Sequence, residues 1–126
     1  MAKNERRWYL NSGCLRHISG DKNQFITLVP KDEGEVVTFR DNGQDKIIGI
    51  GKIQITLSTF IDNILLVKGL KYNLINISQL CDKGYKVSFE ASLCIITNLI
   101  DNNIIFVGNR HENMYVIGLN NISNLS

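Results

Sequence analysis

Proline is almost missing from this chain: Pro30 is the only one among 126 residues. A sequence so poor in the residue that interrupts ladders suits an unbroken series of strands. Cysteine is scarce as well. Cys14, Cys81 and Cys94 are too few and too irregularly spaced for a disulfide framework. An odd count, with no signal-peptide core before Asn11, fits a reducing intracellular setting, so a cytoplasmic location is expected. No apolar run approaches the roughly 18 residues of a membrane helix, so no membrane partner is expected. Neither sign of charge dominates: 14 Lys and Arg stand against 12 Asp and Glu, for a net charge of +2. That field is too weak to argue for direct contact with nucleic acid. Helical periodicity is also in short supply.

What the chain does have is Ile, Val, Phe, Tyr and Thr in short runs, broken by Gly, Asn and Asp. That is the composition of strands and hairpins. Hydrophobic residues make up 44%, enough for a core in one domain. The domain is expected over residues 8–118, between a basic tail at 1–7 and an Asn/Ser-rich frayed tail at 119–126. Expected strands include residues 7–11, Tyr85 to Phe89, Ser92 to Thr97, Ile104 to Gly108 and Asn113 to Ile117. Turns are expected at Asp101-Asn102-Asn103 and Asn109-Arg110-His111. Asn23 to Pro30 reads as a helical turn or a strand. Asp41-Asn42-Gly43 between apolar arms is a strong hairpin signal. Gly49 and Gly51 mark a bulge or a close backbone approach. Ile53, Ile55 and Leu57 are expected to face one way, and Gln54 and Thr56 the other. The continuous run Ile64 to Val67 reads as a strand buried on both sides. Leu70, Leu74, Ile77 and Leu80 fall at helical spacing, which predicts one helix over Asn73 to Asp82, stopped by Gly84. The fold class is therefore all-β with one short helix, closed or half-closed as a small barrel.

One stretch organises the functional reading: Trp8-Tyr9-Leu10-Asn11-Ser12-Gly13-Cys14. Its aromatics and Leu read as a buried strand, and Asn-Ser-Gly as the tight turn that follows. With Arg16-His17 and Gly20-Asp21, it resembles the start of the protease region of copia-type LTR-retrotransposon Pol polyproteins, where the pattern is W-Y-L-D-S-G-C-S-R-H-M-T-G-D. The resemblance continues through Val37-Thr38-Phe39, Asp41-Asn42-Gly43, Ile47 to Lys52 and Asn63 to Val67. It is densest from Gly69-Leu70-Lys71-Tyr72-Asn73-Leu74 through Ile77 to Gly84, and covers about residues 8–118.

The resemblance implies a retropepsin-like β-barrel that works as a homodimer on a polypeptide, in the cytoplasm or a virus-like particle. Position 11 would carry the catalytic carboxylate, Ser12 would support it and Gly13 would let the chain turn. Asp41, Asn42, Gly43, Gln44, Asp45 and Lys46 would form a flap over the substrate. Leu65 to Leu80 resembles the hydrophobic-hydrophobic-Gly motif and helix that buttress the site. This chain departs from the pattern at Asn11 for Asp, at Leu15 for Ser and at Arg40 for Gly. Its lead-in before the turn is also short, which weighs against a retroviral-type dimer interface. Natural decay and deliberate substitution are both open as the origin of Asn11, and the drift at Leu15 and Arg40 favours decay.

An aspartic protease needs two close carboxylates sharing one proton. An amide has the shape of a carboxylate but no basic site at neutral pH, and the lost acid–base assistance is worth roughly 10²- to 10⁴-fold. The sequence therefore predicts a protease-like domain that does not cut. The alternative is a peptide-binding or dimerisation module. Other chemistries fare worse. Cys14-x-x-His17 is a single close pair, short of a zinc site, and lacks the third group of a thiol protease. Gly49-Ile50-Gly51 lacks the third Gly and the setting of a dinucleotide fingerprint. Arg16 and His17 are expected to hold the loop by hydrogen bonds. No metal or cofactor is expected.

Overall fold

The computed structural model describes residues 6–12, 16–31, 36–37 and 45–119. The elements run β1 (Arg7–Asn11), β2 (Ile18–Ser19), a 3-10 turn (Lys22–Gln24), β3 (Thr27–Pro30), β4 (Val36–Val37), β5 (Asp45–Thr56) and β6 (Thr59–Val67). They continue with β7 (Asn73–Asn76), α1 (Ile77–Asp82), β8 (Tyr85–Phe89), β9 (Leu93–Asn98), β10 (Ile104–His111) and β11 (Met114–Gly118). The strands lie in the order β3-β5-β6-β2-β7-β1-β11-β10-β9-β8, with β4 paired to β5 beside that path.

The sheet rolls up as a small all-β barrel. Ile53, Ile55 and Ile61 of the β5–β6 hairpin meet Ile96, Phe106 and Ile117 of β9 to β11 in one buried cluster, with Trp8 and Leu10 of β1 among them. Among the described residues no ladder joins the end strands β3 and β8, so the barrel is half-closed. Register shifts between Ile47 and Gly49, Gly51 and Ile53, and Gln54 and Thr56 bend the long hairpin. Each such bulge adds twist and lets a strand curve around the core. Gly51 is needed where β5 passes β3, because a Cβ there would run into the Thr27 carbonyl oxygen. A second cluster of Ile18, Ile47, Leu65, Val67, Leu70 and Leu74 covers another part of the sheet. Ile64 belongs to the first cluster and Leu65 and Val67 to the second, which is why the 64–67 run is apolar throughout.

Several expectations need correction. The predicted helix over residues 73–82 divides in two: Asn73–Asn76 is β7, and only Ile77–Asp82 is helical. Leu74 and Ile75 are buried there as strand residues between β1 and β2. Leu57 does not join Ile53 and Ile55 in the core. It stands in the tight β5–β6 turn and is 51% exposed. The turn expected at Asn109-Arg110-His111 is strand, since β10 runs to His111 and the chain reverses at Glu112, with φ 58°. Segment 23–30 holds both of its alternatives, the end of the 3-10 turn and then β3. At the ends, Arg7 begins β1, and Leu119 is buried with its amide donating to the Arg6 carbonyl at 2.8 Å.

Candidate functional site

β1 is driven to the centre of the sheet by its side chains. Trp8 and Leu10 point into the core, and the Trp8 indole N–H donates to Gln24 Oε1 at 3.1 Å. Arg6 Nε donates to the same oxygen at 3.2 Å. Burial lowers the pKa of that guanidinium from its usual value, and Asp21 partly offsets the effect. The Asp21 carboxylate caps the 3-10 turn through the Asn23 amide and accepts from Gln24 Nε2 at 3.2 Å. A buried polar group costs little when it is satisfied in this way.

Asn11 ends β1. Parallel β7 lies on one edge, with Asn11 opposite Asn76, and antiparallel β11 lies on the other. Asn11 and Asn76 are therefore neighbours in the register where two parallel strands end. Asn11 is partly buried and Ser12 exposed, while Gly13 and the proposed flap residues Asp41, Asn42, Gly43 and Gln44 lie outside the described residues. Asp45 opens β5 opposite Val37, and Lys46 lies opposite Val36. The Lys46 carbonyl accepts from the Lys68 amide at 2.9 Å.

Residues 13–15 lie outside the described residues, and at Arg16 and His17 three elements clamp the chain. The His17 backbone N–H donates to Gln79 Oε1 on α1 at 2.9 Å. The His17 carbonyl accepts from the Leu65 amide on β6 at 3.0 Å. Nδ1 of its ring accepts from the Asn76 amide on β7 at 2.9 Å. The Asn63 carbonyl of β6 accepts from both Arg16 and Gln79 Nε2, each at 3.2 Å. Arg16 and His17 thus hold the loop by hydrogen bonds. His17 is 1% exposed, and its pKa falls to about 4 because burial penalises the imidazolium, with Arg16 adding to the shift and Asp62 opposing it. At neutral pH it is an uncharged ring with Nδ1 as acceptor, so the ring proton sits on Nε2.

Asn76 is the residue that the sequence reading missed. It is 4% exposed, and its side-chain oxygen accepts the Gln79 amide at 2.8 Å, capping α1. The signal was present: Asn76-Ile77-Ser78-Gln79 has the spacing of a capping box. The box is completed in an altered form. Its second bond, usually made by the side chain three residues on, comes here from His17, which leaves Gln79 to hold the loop. Ser19 and Asn73 strengthen the same crossing. Ser19 Oγ donates to Asn73 Oδ1 at 2.6 Å, and Asn73 Nδ2 donates to the Arg7 carbonyl at 3.0 Å. Gly20 is required beside them, since a Cβ would overlap the Leu70 carbonyl oxygen.

Among the described residues no group of three or more His, Cys, Asp or Glu side chains is placed to hold a metal ion. Cys94 is buried, which raises its thiol pKa, and Cys81 is exposed, so they share no site.

Residues 8–85 match the family described as Pol polyprotein, beta-barrel domain. The chain belongs to that family. The matched span of the Pol β-barrel domain runs from Trp8 through β7 and α1 to the first residue of β8, and so contains Asn11, His17, Asn76 and Gln79, while β11 lies beyond it. No curated protein and no solved structure matches the chain.

Proposed function

We propose that this Pol β-barrel domain is retrotransposon-derived, of the copia type, and protease-like in shape but not in chemistry: it holds an extended peptide without cutting it. The observation that carries the reading is the amide pair at the end of β1 and β7, Asn11 opposite Asn76. In an aspartic protease the first of these positions supplies a carboxylate that shares a proton with its counterpart. Neither amide can take a proton from water at neutral pH. The nearby ring of His17 is neutral, and its Nδ1 already accepts a hydrogen bond. The ancestral reaction was endoproteolytic cleavage of a Gag-Pol polyprotein. Ser12 and Gly13 supported the turn in that ancestor, and the 41–46 hairpin closed over a peptide paired as an added strand.

A shared site would need a second copy. Both edges of β1 are taken within its own chain, by β7 and β11, so the second copy approaches through the Asn11 loop rather than by adding a strand to β1. Such a domain works in the cytoplasm, or in a virus-like particle if its element is active.

The test is Asn11→Asp, placed in a longer polypeptide that carries its own cleavage junction. The variant should cut the junction in a pepstatin-sensitive way. The Asn11 chain, with its amide verified by mass, should be slower by at least ~10²-fold and should still bind the junction peptide. Pepstatin-sensitive cleavage by the Asn11 chain would overturn the reading, as would a variant that neither cuts nor binds.

A further inference from the structure

A recess lies beside His17. It is a pocket of about 180 Å³ walled by His17, strands β5 and β6, the end of α1 and the start of β8. Its volume equals that of roughly six water molecules at about 30 Å³ each, room for one amino-acid side chain or a ligand of that size. Ile61 and Leu80, both buried, make an apolar floor. Phe60 forms one wall, with the Lys52 ammonium 5.8 Å from its ring centre. At the mouth the Lys83 ammonium stands 3.9 Å from the Asp62 carboxylate. Two ammonium groups thus face one carboxylate, and the lining is net positive.

Apart from the Asp62 carboxylate, the polar groups that line the pocket are donors. His17 lines it, and because Nδ1 is committed to Asn76, the group the ring can offer is Nε2–H. Tyr85 lines it too, and burial together with Asp62 raises its phenol pKa, so the hydroxyl stays protonated at neutral pH. Two neutral donors and two ammonium groups above an apolar floor form a setting for a carboxylate carried on an apolar body.

We propose that this pocket binds a small apolar carboxylate, its chain on Ile61 and Leu80 and its carboxylate toward His17, Tyr85 and the two lysines. This site is separate from the peptide site at Asn11 and does not depend on that reading. It touches it at one point: His17 lines the pocket, and its Nδ1 also accepts from the backbone N–H of Asn76, the residue opposite Asn11.

The experiment is an NMR titration of the full chain with phenylacetate and, in parallel, its neutral amide. Phenylacetate should shift Phe60, Tyr85 and the His17 ring saturably, and the amide should bind at least ~10-fold more weakly. Lys52→Met should weaken phenylacetate about fivefold, and Asp62→Asn should tighten it about threefold, in line with one charge at short range in a partly screened site. Both side chains are changed at the mouth rather than in the core, so the fold is kept. A third arm compares acetyl-Gly-Gly-Phe with a free or an amidated C-terminus. If the free form binds ~10-fold or more tighter than phenylacetate, the source is a peptide terminus; comparable binding makes it a free small acid. No saturable shift, equal binding of acid and amide, or the same direction of change in both variants would overturn the proposal.

Discussion

Strands β8, β9, β10 and β11 pair in chain order through short turns, whereas β1, β2 and β7 come together from distant parts of the sequence. The first group is held by apolar side chains facing the barrel and by turns whose residues cap themselves. In the β9–β10 turn, the Asn98 side chain accepts from the Ile100 amide at 2.8 Å, Asp101 accepts from Asn103 at 3.0 Å, and Asn102 adopts φ 60°. Asn and Asp are suited to those jobs. The second group consists of strands of two to five residues bound by side chains from elsewhere: Gln24 under Trp8, Asn73 across β2 and β1, and His17 and Gln79 between the loop, β7 and α1. One region is a local structure that the barrel adopts; the other is a polar clasp that exists only once the barrel has formed. The candidate site lies in the clasp, where His17 is tied to Asn76 and Gln79 by bonds that span 59 and 62 residues and Asn11 is placed by the pairing of β1 with β7.

The sharpest way to break the contrast is Trp8→Ala, because β1 serves both regions. It would open a cavity in the main cluster and leave Gln24 without its indole partner. A loss of about 3–5 kcal/mol is expected, with both regions melting together in urea followed by circular dichroism and hydrogen exchange. Separate melting would show that the clasp and the meander are independent units.

Acid should act on the clasp. The native pKa of His17 is about 4 against 6.5 for an unperturbed ring. A depressed histidine pKa means that the unfolded chain binds the extra proton first. The stability linked to this group is therefore fully present above pH 6.5 and is lost as the pH falls toward about 4. The effect is roughly 3 kcal/mol by linkage. Comparing urea midpoints at pH 7 and pH 5 for the chain and for His17→Asn isolates it. An equal pH dependence in both would refute the assignment.

Asn76→Ala removes the cap of α1 at the position opposite Asn11. A cost of about 1–2 kcal/mol is expected, with exchange rising first at Gln79 and His17 amides. The matching change in the meander is Ile100→Asn. Ile100 is 92% exposed at a turn tip, so its replacement should move stability by no more than about 0.5 kcal/mol. If the two changes cost the same, the distinction between the regions fails.

The regions also differ in how far they could be read from residues alone. Tyr85 to Phe89 was legible at both ends, and β9 to β11 were legible to within a few residues, because alternation and turn residues act over neighbouring positions. The exception is the end of β10. Asn109-Arg110-His111 has turn composition but remains strand, because β11 supplies partners that local preference does not count. In the clasp, β1 and α1 were visible, but β7 was read as part of the helix. Leu74 and Leu80 suit a helical stripe and an extended segment equally well. Only the presence of β1 on one side and β2 on the other makes Asn73–Asn76 a strand. His17 was expected to hold its loop, yet the capping-box spacing of Asn76 and Gln79 announces only the start of α1, not their bonds to His17, which lies 59 and 62 residues away.

By itself, then, the sequence determined an all-β chain with a strand that runs through Trp8 and Leu10 and ends on the amide of Asn11. Those are properties of residue type and of spacing over a few positions, and they need no folded partner. The tertiary structure decided what stands opposite that amide, which ring is stripped of its charge, and which side chains close the pocket behind it. Each of these depends on desolvation and on hydrogen bonds between segments far apart in the chain, and both arise only when the barrel brings the segments together.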